Sequence, residues 1–393
     1  MNFKLVKLED IAQISTGGTP SRSNPSYWEN GGIPWVKIRD LKKKFVNETE
    51  EFITEEGLYN SSAKLFPKGT LLYTIFATIG ECAILNIDAT TNQAIAGLIV
   101  NNEKALTEYV YYFLKSIKEK VMYSGRGVAQ NNINLSMLKG IEIPLPNLKI
   151  QKKIVEILNK ASELIEKRKA QIEALDQLTK SVFLEMFGNL KGEKVPLSEL
   201  CYINPSKKEI ENIDKEFPVT FLPMANVSEN GELDLSETRL IKEVFESFTY
   251  FREGDVLFAK ITPCMENGKG AIARNLINNI GFGSTEFHVL RPKENVNSTW
   301  LYYLTSLQSF RKQAEANMTG SAGQKRVPKQ FFSKYKVVLP PIELQNQFAK
   351  IVQKIQSQKE IIKKSLEELE NNFNSLMQRA FKGELFNELM NTK

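Results

Sequence analysis

The chain repeats itself once, at a period of roughly 190 residues, so its fold has to accommodate two related units within 393 residues. Val6-Lys7-Leu8-Glu9-Asp10-Ile11 aligns with Val195-Pro196-Leu197-Ser198-Glu199-Leu200. Phe66-Pro67-Lys68-Gly69-Thr70-Leu71-Leu72 aligns with Phe251-Arg252-Glu253-Gly254-Asp255-Val256-Leu257. Ser124-Gly125-Arg126-Gly127-Val128-Ala129-Gln130 is echoed by Thr319-Gly320-Ser321-Ala322-Gly323-Gln324. Leu145-Pro146, ahead of Leu148 and Gln151, matches Leu339-Pro340, ahead of Ile342 and Gln345. The offset drifts between the early blocks, which means loop insertions around a kept framework. From Pro146 onward it stays at 194, through Phe187 and Phe381. A stretch of that length without insertions behaves as one long helix under a registry constraint. Solenoid repeats run at about 20–45 residues, so units of this size read as a duplicated domain.

Each repeat ends in proline and then a long periodic run. Pro146 and Pro340-Pro341 stop a strand and set up a helix start. In the first run Ile150, Ile154, Ile157, Ala161 and Leu164 recur at 4-3-4-3 spacing, and the seam resumes at Leu175, Leu178 and Val182. Polar breaks fall at Arg168 and Gln171. The second run keeps the phase with Leu344, Phe348, Ile351, Ile355, Ile362, Leu369 and Leu376, broken at Gln358, Ser365 and Asn372. Neither run holds an internal Pro or Gly, and each supplies roughly 60 Å of helix at about 1.5 Å per residue. The simplest partner for each narrow apolar stripe is the other helix of the same chain. A domain linker or a homodimer zipper is the alternative. Lys160, Glu163, Lys167 and Lys169 mark a mixed-charge outer face, solvated or partner-facing.

Within each repeat the pattern is mixed. Residues 70–75, 94–100, 255–260 and 287–290 read as strands. Residues 107–114 and 298–304 read as amphipathic helices capped by Thr107 and Ser298. Polar, Gly-containing loops lie between them. Arg and Lys reach guanine edges or phosphates, Asn and Gln read adenine, and Ser or Thr serves either. On that chemistry the candidate DNA-contacting residues are Thr19, Ser21, Arg22, Lys37, Arg39, Thr78, Gln93, Arg126, Gln130 and Asn131 in the first repeat. In the second they are Lys260, Thr262, Asn267, Lys269, Ser284, Thr285, Lys325 and Arg326.

Composition narrows the classes. Hydrophobic residues make up 42% and charged residues 25%, as in an ordinary globular protein of two or three domains. The formal net charge of +6 permits nucleic-acid binding without requiring it. Cys82, Cys201 and Cys264 lie far apart and His288 is the only histidine, which argues against a zinc site and fits a reducing cytoplasm. No signal peptide or membrane span is expected. Catalytic signatures fail: Asn24-Pro25-Ser26-Tyr27 lacks the second proline of an amino-methyltransferase motif and reads as a turn. There is no Walker A sequence, and Gly268-Lys269-Gly270 and Gly281-Phe282-Gly283 miss the GxGxxG spacing. No catalytic, cofactor or metal residue is assigned.

The first repeat carries Ser15-Thr16-Gly17-Gly18-Thr19-Pro20-Ser21, Ile33-Pro34-Trp35-Val36-Lys37-Ile38-Arg39-Asp40-Leu41, Thr91-Asn92-Gln93-Ala94 and Ile143-Pro144-Leu145-Pro146. The second carries Glu266-Asn267-Gly268-Lys269, Ser284-Thr285-Glu286-Phe287, Val289-Leu290-Arg291-Pro292, and Leu339-Pro340-Pro341 with Gln345. With these motifs in a duplicated order of domain and helix, the whole chain resembles the specificity subunit of type I restriction–modification systems. The resemblance implies an α+β fold with two similar target-recognition domains, each followed by a long α-helix, the helices pairing as an antiparallel coiled coil. The expected layout is a first recognition domain at 1–148, its spacer helix at 149–188, a second domain at 189–341, and the second helix with a tail at 342–393. It further implies a non-catalytic subunit that reads a bipartite, asymmetric site in double-stranded DNA. Two methyltransferase subunits and restriction/translocase subunits would dock on it, and S-adenosylmethionine, ATP and Mg2+ would belong to those partners. The modest charge implies weak binding alone. A stand-alone DNA-binding regulator and a helical scaffold are the competing readings.

Overall fold

A computed structural model describes residues 3–124, 133–321 and 323–385. It divides into two compact units. The first holds residues 1–170 together with 363–393, and the second holds 171–362.

In the first unit a mainly antiparallel sheet runs in the order Ala12–Thr16, Ile95–Val100, Leu71–Thr74, Cys82–Leu85 and Phe45–Val46. A smaller sheet has Ile33–Val36 at its centre, antiparallel to Glu51–Ile53 and parallel to Thr90–Thr91. In the second unit the order Cys201–Ile203, Phe287–Pro292, Val256–Ala259, Gly270–Ile272 repeats the first sheet. Pro218–Leu222 repeats the central strand of the smaller one, antiparallel to Thr238–Leu240 and parallel to Ile280–Gly283. The correspondence reaches single hydrogen bonds. The Ile75 amide donates to the Ala94 carbonyl at 2.9 Å, and the Lys260 amide to the Glu286 carbonyl at 2.9 Å. The Ile133 amide donates to the Ile75 carbonyl and the Val327 amide to that of Lys260.

The strand nearest each core starts after a glycine for a local reason. Gly69 and Gly254 sit at φ of 90° and 86°, a left-handed turn that a side chain disfavours. The strands they launch, Leu71–Thr74 and Val256–Ala259, are buried throughout. The helices Thr107–Ser116 and Ser298–Ser306 cover them, burying Tyr109, Tyr112, Trp300 and Leu301. Thr107 and Ser298 do not cap these helices. They are the first helical residues. The cap in the second unit is Asn297, whose side chain accepts from the Thr299 amide at 2.8 Å. In the first it is Leu106, which has no capping side chain.

A pair of buried glutamines joins each domain to its long helix. Gln151 accepts from the Leu106 amide (2.9 Å) and donates to the carbonyls of Lys104 (3.1 Å) and Pro146 (2.8 Å). Gln345 accepts from the Asn297 amide (2.8 Å) and donates to the carbonyls of Asn295 (3.1 Å) and Pro340 (2.8 Å). Both are fully buried. Three bonds to backbone otherwise left without partners fix the rotation of each helix at its first turn.

The long helices run Leu148–Phe187 and Ile342–Phe381. Within each unit their segments pair antiparallel. In the first, Lys169 meets Glu370 at 3.1 Å, and Ile165 shares a core with Phe373. In the second, Phe183 packs on Phe348 with ring centroids 5.3 Å apart, and Asp176 meets Lys359 at 2.8 Å. Half of the expected seam is rotated by one residue. The lines through Ile154 and Phe348 are right. Leu164 and Leu178, however, are about half exposed, and Leu158, Ile165 and Thr179 face inward instead. In the second helix Ile351 points outward while Val352, Lys359 and Phe373 are buried. The expected breaks at Gln171, Gln358 and Asn372 therefore lie outside the seam, and the polar residues on the buried lines are Gln151, Thr179, Gln345 and Lys359. Lys169 likewise is not purely an outer-face residue, since it reaches the second helix.

Candidate nucleic-acid interface

In the first unit the sequence candidates form a cationic cluster around a carboxylate that sequence reasoning missed. Glu51, directly across from Trp35 in the smaller sheet, pairs with Arg22, Lys37 and, at 3.5 Å, Arg39. Arg39 also pairs with Glu50. The Arg22 guanidinium lies 3.5 Å over the Trp28 ring, and Trp28 meets Trp35 edge-on at 5.0 Å. Burial lowers the Lys37 pKa first, with Arg39 and Arg22 adding to it, so the cations here crowd one another. Trp28 is held by its indole N–H on the Ser21 carbonyl at 3.0 Å. Asn24-Pro25-Ser26-Tyr27 is a tight turn, Asn24 accepting from the Ser26 amide at 3.2 Å.

Thr19 and Gln93 come together through a side-chain hydrogen bond. The Ser21 hydroxyl bonds that of its neighbour Ser23, at 2.8 Å. Thr78 stands exposed in the turn between Leu71–Thr74 and Cys82–Leu85, its carbonyl accepting from the Thr74 hydroxyl. Arg126, Gln130 and Asn131 lie outside the described residues.

In the second unit the candidates converge more tightly. Residues 260–262, 284–286, 319 and 324–326 meet at one end of the sheet. The Lys260 amide bonds the Glu286 carbonyl, the Thr262 amide bonds the Lys325 carbonyl at 3.1 Å, and Arg326 pairs its backbone with Thr319. Arg326 holds the Glu286 carboxylate at 2.8–3.1 Å, which draws the Glu286 pKa down. Burial lowers the Lys260 pKa, partly offset by Glu286 and reinforced by Arg326. Ser284 accepts from the Glu286 amide at 3.2 Å, Thr262 donates to Glu266 at 2.9 Å, and Thr285 and Lys325 are exposed.

Asn267 and Lys269 sit on the adjoining turn, Asn267 exposed and Lys269 spent on the Met224 carbonyl at 3.1 Å. That turn is carried by a residue the sequence did not single out. Buried Arg311 donates to the carbonyls of Met265 (2.8 Å), Lys269 (3.2 Å) and Thr305 (3.1 Å), and burial lowers its pKa to about 10. Arg291, quoted above for its motif, is internal: it forks onto Asp255 at 2.8 Å and reaches Glu209 at 2.6 Å. Among the described residues no group of three or more His, Cys, Asp or Glu is placed to hold a metal, and no helix is long and apolar enough to cross a membrane.

The type I restriction modification DNA specificity domain matches residues 1–174 and, a second time, residues 189–371. The chain belongs to this family. Its duplicated α+β units and long helices are the family's plan. The MjaIX type I restriction enzyme specificity subunit of Methanocaldococcus jannaschii is 34% identical over 214 residues, 53% of this chain and 49% of that protein. The EcoAI specificity subunit of Escherichia coli is 40% identical over 156 residues, 39% of this chain and 26% of that one. The chain thus spans half or less of the length of these two relatives. A putative MjaX specificity subunit, also of M. jannaschii, is 23% identical over 98% of this chain and 94% of its own. Such relatives are non-catalytic recognition subunits. A chain solved in a study of complex assembly and conformational transition of the type I R-M system shares the fold, with a TM-score of 0.60 at 17% identity over 98% of both chains.

Proposed function

We propose that this chain reads a bipartite, asymmetric DNA site and brings adenine methyltransferase and restriction subunits to it without catalysing a step itself. The observation that carries this reading is the duplication: one DNA specificity domain matched twice in a single chain. Two matched domains of unlike loop chemistry give two half-sites of unlike sequence. The first offers Arg22, Lys37, Arg39 and the Thr19–Gln93 pair, the second Lys260, Thr262, Ser284, Thr285, Lys325 and Arg326. The paired helices hold the unread spacer constant and offer outer faces for two methyltransferase subunits. Restriction/translocase subunits join that assembly. S-adenosylmethionine, ATP and Mg2+ are the business of those partners, and the work is done in the cytoplasm. Many of the candidate cations are already neutralised by Glu50, Glu51 and Glu286, so the partners supply much of the phosphate contact.

The test is modified-base sequencing of genomic DNA from a host with and without this gene, its methyltransferase partner present. Adenine methylation at one bipartite motif should disappear on deletion, which reads out both half-sites and the spacer. An unchanged methylome in cells with an active partner would rule out the directing role.

A further inference from the structure

Arg326 is immobilised from several sides. Its backbone N–H and carbonyl pair with Thr319 at 2.8 and 3.0 Å. Its Nε and Nη2 hold Glu286, and Nη1 donates to the Gln324 carbonyl at 3.1 Å. Glu286 is itself fixed, its amide on Ser284 Oγ and its carbonyl under the Lys260 amide. A guanidinium carries five N–H groups in one plane. These bonds leave one on Nη1 and one on Nη2 without a protein partner among the described residues. The side chain remains 42% exposed, enough for a ligand to reach it.

We propose that Arg326, braced by Glu286, reads a guanine in one half-site by donating its two remaining N–H groups to O6 and N7. The inference rests on the DNA-reading function proposed above. A phosphate contact needs charge, which exposed Lys325 supplies without any brace. Glu286 removes net positive charge at this point, which weakens phosphate attraction. It also holds the guanidinium plane in one orientation, which suits two coplanar acceptors. A pinned arginine loses little side-chain freedom on binding, so discrimination is not offset by ordering. Glu286 is a positioning residue that acts through Arg326.

The experiment is modified-base sequencing in cells carrying the complete system with wild type, Arg326→Lys or Glu286→Gln. Arg326→Lys keeps the charge and loses the fork. Glu286→Gln keeps the arginine and loosens its plane. Both variants should relax the same single G·C position in one half-site, methylation of the other bases there rising about tenfold or more, with the other half-site as stringent as before. Relaxation at two different positions would overturn the proposal. So would a motif unchanged in both variants, or methylation lost evenly across the motif in intact complexes. Should Arg326→Lys fail to fold, Glu286→Gln carries the test alone. A wild type that yields no motif at all would instead sink the proposed function.

Discussion

His288 shows how a lone residue is assigned by its neighbours. Its Nε2–H donates to the Val327 carbonyl at 2.7 Å. Its Nδ1 accepts from the Asn204 amide nitrogen at 3.1 Å, an orientation set because Asn204 Oδ1 accepts from the Val289 N–H at 2.9 Å. The ring is therefore neutral, and a second proton would face a donor. Burial pushes its pKa down from 6.5 to about 4, with Lys260 and Lys329 adding to the effect. Between those values the unfolded chain binds a proton that the folded chain refuses, so stability falls as pH falls. Above pH 6.5 both states are neutral and the contribution is whole; below about 4 both are charged and the loss is complete. The shift corresponds to about 3 kcal/mol. Because no other histidine exists in the chain, urea melts between pH 7 and 4.5 should show this slope in wild type and a flatter curve in His288→Gln. Equal slopes would mean that the ring takes up its proton in the fold as readily as in the unfolded chain. The same neighbour logic explains which candidate residues were legible. The polar loops announced themselves, but Glu51 and Glu286, which gather the cations, become visible only when cross-strand register places Glu51 by Trp35 and loop closure places Glu286 by Arg326.

The long helices were readable in span and not in rotation. A constant offset of 194 and the flanking prolines delimit them closely. Rotation was ambiguous because two neighbouring lines are both apolar: Ile150, Ile157, Leu164 and Leu178 on one, Leu158, Ile165 and Ile172 on the next. The buried Gln151 and Gln345 decide between them, and a glutamine counts against a seam in any hydrophobic tally. The same choice buries Lys359, with 5% of its side chain exposed, against Asp176 at 2.8 Å, with Glu232 at 3.8 Å. Removing the acid strands a buried ammonium, while removing the base leaves an acid that still touches water. Asp176→Asn should therefore cost about 1–3 kcal/mol, reduced from the fully buried case because Asp176 is 31% exposed. Lys359→Met keeps the apolar stem and should stay within about 1 kcal/mol of wild type. Urea midpoints at unchanged m-value compare the two. Lys359→Met proving the costlier would show that the lysine serves the seam by its charge and not by its packing.

At the scale of the molecule, each long helix belongs to both compact units. The first passes from one unit to the other after Ala170 and the second after Ile362. An insertion at one of these points alone would slip the antiparallel pairing, so a length change has to be made in both. Seven residues preserve the seam, because seven is its repeat. They lengthen a helix by about 10 Å at 1.5 Å per residue, which is about three base pairs at 3.4 Å each. If the helices set the unread spacer, a chain with one heptad added after Ala170 and one after Ile362 should methylate the same two half-sites with a spacer about three base pairs longer. Efficiency should fall, since three base pairs also turn the second half-site by roughly a third of a helical turn and the duplex must untwist to present it. A four-residue insertion at the same points moves the apolar face round the helix and should abolish methylation rather than lengthen the spacer. Modified-base sequencing reads all three chains. An unchanged spacer in the heptad variant, with the half-sites still recognised, would mean that the partner subunits or the DNA, and not these helices, measure the gap.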